Sequence, residues 1–395
     1  MLFYSIGLAY NCMSIFLDPL MDQFGLSKTL GSLIVNMQSA GGLCAMAVTG
    51  KLINRFGARK ISFLAGIVIA AGYVMFSTAE SSFVCYIAAF IVGIGYGSGS
   101  MIPVSTLLTV WFEKKRGFAL GAATMGSGIA TIISPKFLTS IIEQSGVQST
   151  FLLLGMVVAV LATLSAILIR NTPEDKGLLP YGYVVNESNC IEETGVTIKD
   201  AFKMIEYYLL ATVAILLGLT VMPIVSHISP ILIQSGYSPS LIAAMLSLYG
   251  IGMLVSKPLY GLIIDQFGIL KSNTAIYAFL VASLCCGLFI DKGPALPYLF
   301  VLLFGIGIPV NTIAFPIWIA AIFGKKDMAS IYSTIKILFT LGAVLGGTLP
   351  GIIADLRGTY LPVFIIYIAV VIMSYIIVQY LFRDKRQARH HAQEA

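Results

Sequence analysis

Three lysines, Lys136, Lys257 and Lys336, stand inside long apolar runs of this 395-residue chain. A charge at the centre of a bilayer costs roughly 2.5 kcal/mol or more, so a lysine kept there normally faces a protein interior and has work to do. Asp18, Asp22, Glu80, Glu143, Asp291 and Asp355 all fall at the outer edges of apolar runs or in loops between them. None lies in the middle of a run. An interior cation without a fixed counter-ion can draw one from solution, and a small carboxylate matches it in charge and size.

Helical phase separates the three. Lys257 shares a face with Tyr249, Gly250, Tyr260 and Gly261, the small and aromatic-polar company of a packed or wet interior. Lys336 shares its face with Ala329, Tyr332, Ser333, Thr340, Ala343 and Gly347. Lys136 has Phe118, Met125, Ile129 and Ile132 beside it near a run's end, where a lysine can snorkel to the interface. For Lys257 and Lys336 two alternatives stay open: pairing with backbone carbonyls, or burial as an uncharged amine. Further polar groups that could line a cavity are Tyr10, Asn11, Asn36, Gln38, Tyr96, Ser226, His227, Asn311 and Thr312. Bonding between helices is the plainer role for each, and for His227 in particular.

The elements that position these residues follow from composition. Only 11% of residues are charged, 58% are hydrophobic, and mean hydropathy is +0.92. Such a chain has too little charge for a water-facing surface, so lipid is the solvent of much of it. Runs of about 20 residues cross a core of about 30 Å as helices, and unbroken apolar runs exclude an alternating barrel. The runs predict spans near 1–17, 29–50, 61–79, 83–111, 117–142, 150–169, 204–234, 240–264, 272–290, 295–323, 327–354 and 360–382. Glycines 93, 95, 97 and 99 mark a helix approached closely by its neighbours. The expected fold class is an all-α membrane protein of twelve transmembrane helices. Its parts are a six-helix half at 1–169, a polar loop at 170–203, a second half at 204–382 and a basic tail at 383–395.

Loop charge sets the orientation. With both termini cytoplasmic, eighteen of the 24 basic residues fall on the inner side, and only Lys28, Lys292 and Arg357 on the outer. That asymmetry also accounts for the net charge of +6 without nucleic acid. The Asn186-Glu187-Ser188 sequon falls on the cytoplasmic side in this arrangement, which discounts it as a glycan site. The six cysteines lack metal or redox spacing, and no metal site or cofactor is expected. Seventeen residues before Asp18-Pro19 make a short first span with no basic lead, so the start is expected to lie upstream of Met1.

An internal repeat completes the reading. Gly50-Lys51-Leu52-Ile53-Asn54-Arg55-Phe56-Gly57 and Gly261-Leu262-Ile263-Ile264-Asp265-Gln266-Phe267-Gly268 align at an offset of 211 residues. Phe112, Lys114 and Lys115 align with Phe323, Lys325 and Lys326 at the same offset. Recurrent basic loops explain the charges but not the shared Phe-Gly register. Duplicated halves of this parallel kind hold their ligand near the midplane between them.

The segment with Gly50, Asn54, Arg55, Gly57, Arg59 and Lys60 resembles the signature loop of the major facilitator superfamily. The resemblance implies that fold and a gating role for the loop, with Asp265 and Gly268 as its second copy. Asn54 departs from the family's usual Asp. There the carboxylate faces a helix N-terminus; Asn keeps a hydrogen bond and loses the charge, which weakens the latch. Trp111-Phe112-Glu113-Lys114-Lys115-Arg116-Gly117 is similar to the entry of helix 5 in the monocarboxylate transporters and oxalate/formate antiporters. In that branch a basic residue, usually Arg, sits in helix 8 where Lys257-Pro258 stands, and Lys336 falls within about a turn of the antiporters' helix 11 lysine.

The resemblance implies a secondary transporter of small organic anions that works as a monomer in the plasma membrane. Lys257, Lys336, Tyr249, Tyr332, Tyr10, Tyr96, Asn311 and His227 are its expected substrate contacts. Met253 replaces the Asp that proton symporters carry one turn before the helix 8 cation, which favours exchange or uniport. Two other readings use the same fold. An exporter of amphipathic compounds would carry mid-span acids, and a transport-dead nutrient sensor would carry a large cytoplasmic extension. A membrane enzyme would need a nucleophile triad, metal cluster or phosphate loop, and the sequence offers none.

Overall fold

The computed structural model describes residues 1–26, 28–183 and 195–394. The sequon at 186–188, Cys190, Glu192 and Glu193 lie outside the described residues. The described chain is helical, with twelve apolar segments that divide into two sets of six. Helix α1 is a composite of a π turn at Phe3–Leu8, a 3-10 stretch at Asn11–Phe16 and an α-helix at Leu17–Phe24. Then come α2 (Lys28–Phe56), α3 (Ala58–Ser77) and α4, in two pieces (Ser82–Gly99 and Met101–Trp111).

Helices α5 and α6 share one run, Arg116–Leu168, broken only where Gly146 takes φ 80°. Helix α7 is Ile205–Gln234, and α8 and α9 share Pro239–Leu288, broken at Gly268 with φ 78°. Helix α10 carries a π turn, Val310–Ala314, between Leu296–Gly307 and Phe315–Phe323. Helix α11 is Met328–Gly346 with Leu349–Arg357, and α12 is Leu361–Glu394.

The sequence led us to expect loops at 143–149 and 265–271. The structure puts one glycine in each place. A residue at φ near +80° reverses the chain direction within a single peptide, a conformation open to glycine because it has no Cβ. Gly57 does the same between α2 and α3 at φ 83°, and it is the repeat partner of Gly268. The duplication is therefore visible in backbone conformation as well as in sequence.

By contact the chain gathers into two units. One comprises Met1–Lys114, Ala122–Glu193 and Asp327–Thr334; the other comprises Lys115–Gly121, Thr194–Lys326 and Ile335–Ala395. Each unit thus includes the first turns of a helix whose remainder belongs to the other. In the first unit Phe151 stacks on Phe16 at 4.2 Å and on Phe76 at 4.6 Å, the centre of a buried aromatic core. The α4 glycines make close helix contacts: a Cβ on Gly93 would overlap the Gln38 backbone, and one on Gly97 the Gly42 backbone. Outward faces are apolar, as on α6, where Met156, Val160, Leu164 and Ile167 are about half exposed at helical spacing. Those surfaces meet lipid.

The stretch between the halves is anchored at both of its described ends. Tyr181 donates its amide to the Trp111 carbonyl at 2.8 Å, and Val196 donates to the Phe323 carbonyl at 2.9 Å. Phe112 and Phe323 are repeat partners, so the two anchors use equivalent loops. Beyond the second, Thr197 caps the short helix Ile198–Ala201. Its hydroxyl, with Lys203 beside it, holds the exposed Asp200 carboxyl below the usual carboxylate range.

Candidate functional site

The second unit holds both interior lysines. Lys257 sits on α8 at 4% exposure, and no hydrogen bond or ion pair reaches its ammonium among the described residues. Pro258 follows it and leaves the Leu254 carbonyl without its helical N–H partner. Across from it α5 comes close: a Cβ on Gly121 would collide with the Lys257 carbonyl and Pro258 Cα. Lys336, on α11, is half-buried and places Nζ 4.3 Å from the centroid of the Phe339 ring. Among the described residues no carboxylate stands within ion-pair distance of either lysine. Lys136, by contrast, is exposed, as a snorkelling residue is.

Other expected contacts in this unit differ in character. Tyr249 stacks on Phe304 of α10 at 6.3 Å. Asn311, in the π turn of α10, is 4% exposed with its side-chain oxygen unsatisfied, and neighbouring Thr312 has an unsatisfied hydroxyl. A π turn is a common way to present side chains at a working site. His227 bonds through Nδ1 to its own helix at the Pro223 carbonyl, 2.9 Å away, and lies edge-on to Tyr360 at 6.1 Å.

The first unit gathers the remaining three. Tyr10 and Tyr96 stack at 4.5 Å, nearly parallel at 17°. Tyr332 is fully buried with its hydroxyl unsatisfied, as is that of Ser333. Gln38, 1% exposed, donates to the Ala9 carbonyl and keeps a free side-chain oxygen. Asn11 is taken up elsewhere, donating to Thr131 at 2.7 Å.

The loop residues form two related contacts. Asp265 accepts from the backbone amides of Gly117 and Phe118 at 2.9 Å each, a carboxylate at the first turn of α5. At the equivalent place Asn54 accepts from no helix terminus among the described residues. Its amide donates to the Asp327 carboxylate at 2.9 Å and the Ser330 hydroxyl at 3.2 Å. Sequence reasoning missed Asp327, although an Asp directly before the apolar run of α11 is an N-cap signal. The glycines repeat the theme: a Cβ on Gly50 would overlap the backbone of Ala329 and Ser330, and one on Gly261 that of Gly117. Arg59 bonds through Nε to the Ala166 carbonyl at 2.6 Å and through its amide to Asn171 at 2.9 Å. Arg55 lies over the Phe56 ring at 5.2 Å, and Lys60 is exposed.

Among the described residues, twelve apolar helices in two repeated sets, with unpaired cations and unsatisfied polar groups inside them, define a multi-pass transporter rather than an enzyme. The chain belongs to the Major Facilitator Superfamily, whose model matches residues 2–234 and 208–395. It is 23% identical over 350 residues to the uncharacterized MFS-type transporter YhjX of Escherichia coli, covering 86% of this chain and 81% of that protein. Monocarboxylate transporter 9 of Gallus gallus is 29% identical over 136 residues, 34% of this chain and 27% of that one. The oxalate:formate antiporter of Oxalobacter formigenes is 26% identical over 171 residues, 42% of this chain and 39% of that one. Among solved structures the fold matches the transporter FucP with a TM-score of 0.75 at 16% identity, over 96% of both chains.

Proposed function

We propose that this chain is a secondary transporter of small organic anions, mono- or dicarboxylates, working by alternating access as a single chain. The observation that carries this reading is Lys257, a buried ammonium on α8 that no carboxylate or carbonyl satisfies among the described residues. An unpaired cation in an apolar helix is costly, and an anionic substrate offsets that cost each time it binds. Lys336 supplies a second positive charge in the same unit. Tyr249 and Asn311 there offer hydroxyl and amide donors to carboxylate oxygens.

Met253 stands one turn before Lys257, where a proton-carrying acid would be needed, so exchange or uniport is favoured over proton symport. The relatives named for monocarboxylate and for oxalate and formate point to the same ligand class. Loop charge supports an orientation with both termini cytoplasmic.

The test is counterflow. Purified protein in liposomes loaded with pyruvate, lactate, oxalate or succinate should accumulate the labelled form of at least one of them, and Lys257→Gln should stop it. Accumulation of none of the four, or equal uptake by a well-folded Lys257→Gln protein, removes this reading.

A further inference from the structure

Among the described residues Lys336 has no acidic partner, yet its position is defined. Its Nζ lies 4.3 Å from the centroid of Phe339, one turn on along α11, well inside the distance at which a ring face attracts a cation. We infer that Phe339 is the positioning residue of Lys336, and that its ring takes the place a carboxylate would otherwise fill. The proposal rests on the anion reading above and explains how the cation can be held without being neutralised. A carboxylate in that position would cancel the charge. The quadrupole of a ring attracts the ammonium and leaves its full charge to be offered to an anion.

The ring is itself held in a fixed orientation. Phe339 is 4% exposed and meets Phe315 edge to face at 6.1 Å and 67°. Phe315 in turn meets Trp318 at 5.3 Å and 69°. The Trp318 indole donates to the Asn273 side-chain oxygen at 3.2 Å, and that oxygen also accepts from the Tyr260 hydroxyl at 3.0 Å. Two donors on one oxygen fix which way the buried amide points. Tyr260 lies one turn after Lys257 on α8. A continuous buried relay through α8, α9, α10 and α11 therefore joins the helix turns that carry the two lysines, and all of it lies within one unit. These residues are assigned to holding geometry; none of them is assigned to substrate contact.

The experiment reads the amine itself. Full-length protein in lipid nanodiscs is treated briefly with acetic anhydride at pH 8, and acetylation at Lys336 and Lys257 is quantified by mass spectrometry. Phe339→Leu should raise the rate at Lys336 at least threefold with Lys257 unchanged, because the ammonium loses the face that covers and holds it. Phe339→Tyr, which restores a ring face, should return the wild-type rate, whereas Phe339→cyclohexylalanine, which fills the same volume without π electrons, should label as fast as Leu; a wild-type rate there would mean that volume alone holds the lysine. Phe339→Met carries the same expectation as Leu if the smaller side chain prevents folding. Equal labelling of Lys336 in wild type and in the ringless variants overturns the proposal and leaves the anion reading standing. Undiminished carboxylate counterflow by a well-folded Lys257→Gln protein would remove the anion reading while leaving the labelling result intact.

Discussion

The Asn54 amide donates to the Asp327 carboxylate at 2.9 Å, so the acid of this contact sits at the start of α11 and the neutral partner on the last turn of α2. At the repeat-related contact the order is reversed: Asp265 supplies the acid from the last turn of α8, and α5 supplies only backbone amides. The two contacts are alike in place and opposite in polarity.

Asn54→Asp is therefore expected to weaken its contact, although by sequence alone it would restore the family's usual residue. Two carboxylates about 3 Å apart repel by roughly 1 kcal/mol where water screens them and by more where it is excluded. Hydrogen exchange at the amides of 327–334 should quicken severalfold in Asn54→Asp and return to the wild-type rate in Asn54→Asp combined with Asp327→Asn. Unchanged exchange in the single variant would show that this pair contributes nothing to the packing of α11.

Lys257→Gln should nearly abolish carboxylate counterflow while expression and thermal stability hold. A charge-assisted hydrogen bond contributes about 1.5–3 kcal/mol, more than tenfold in affinity. Losing an unpaired buried cation is neutral or favourable for folding. Lys257→Arg should keep part of the activity and favour planar carboxylates that accept two parallel bonds. Poor expression with normal specific activity would mark Lys257 as structural instead.

Lys336→Gln is expected to separate substrates by charge. A dicarboxylate has a second charge to lose, so succinate or oxalate should suffer more than lactate or pyruvate when KM values are compared. An equal loss for both classes would argue against a second charge contact at this position.

Gly261→Ala should lower the thermal midpoint more than an alanine placed on a lipid-facing turn of α8. The added Cβ overlaps the Gly117 backbone, which has no rotamer with which to yield. Overpacking of this kind costs roughly 1–3 kcal/mol. A thermal midpoint equal to wild type would mean that α5 and α8 part freely at this seam.

Orientation can be checked independently of substrate. A reporter fused after Ala395 should be protected in intact cells and reached only after permeabilisation, because the basic residues concentrate on that side. Labelling from outside would invert the arrangement and with it the side on which Asn54 and Asp265 lie.

The fold was largely legible because its cues are local. Run length marked the helices, and the offset of 211 residues marked the duplication that Gly57 and Gly268 repeat in their dihedrals. What sequence reasoning misplaced were the turns. Polar residues such as Asp265 and Lys271 read as loop, yet they lie in helix and one glycine makes the bend. The irregular α1 was equally hidden, since a π turn and a 3-10 stretch leave an apolar run unchanged in composition. The lysines stood out because their presence in lipid is costly. Their surroundings did not: Phe339 and Asn273 look like core filler, and the partner of Asn54 lies 273 residues away.

The exchange of helix starts between the units bears on how this chain can be divided. A cut in the central stretch would give one fragment without 327–334 and another without 115–121, each missing a piece that its own unit packs against. Gly50 would lose the backbone at Ala329 and Ser330 that covers it, and Gly261 the backbone at Gly117. Neither fragment alone would bury those glycine seams, whereas the two synthesised together could cover each other's. The molecule is thus a natural subject for split-protein complementation, in which recovered activity reports the meeting of the fragments.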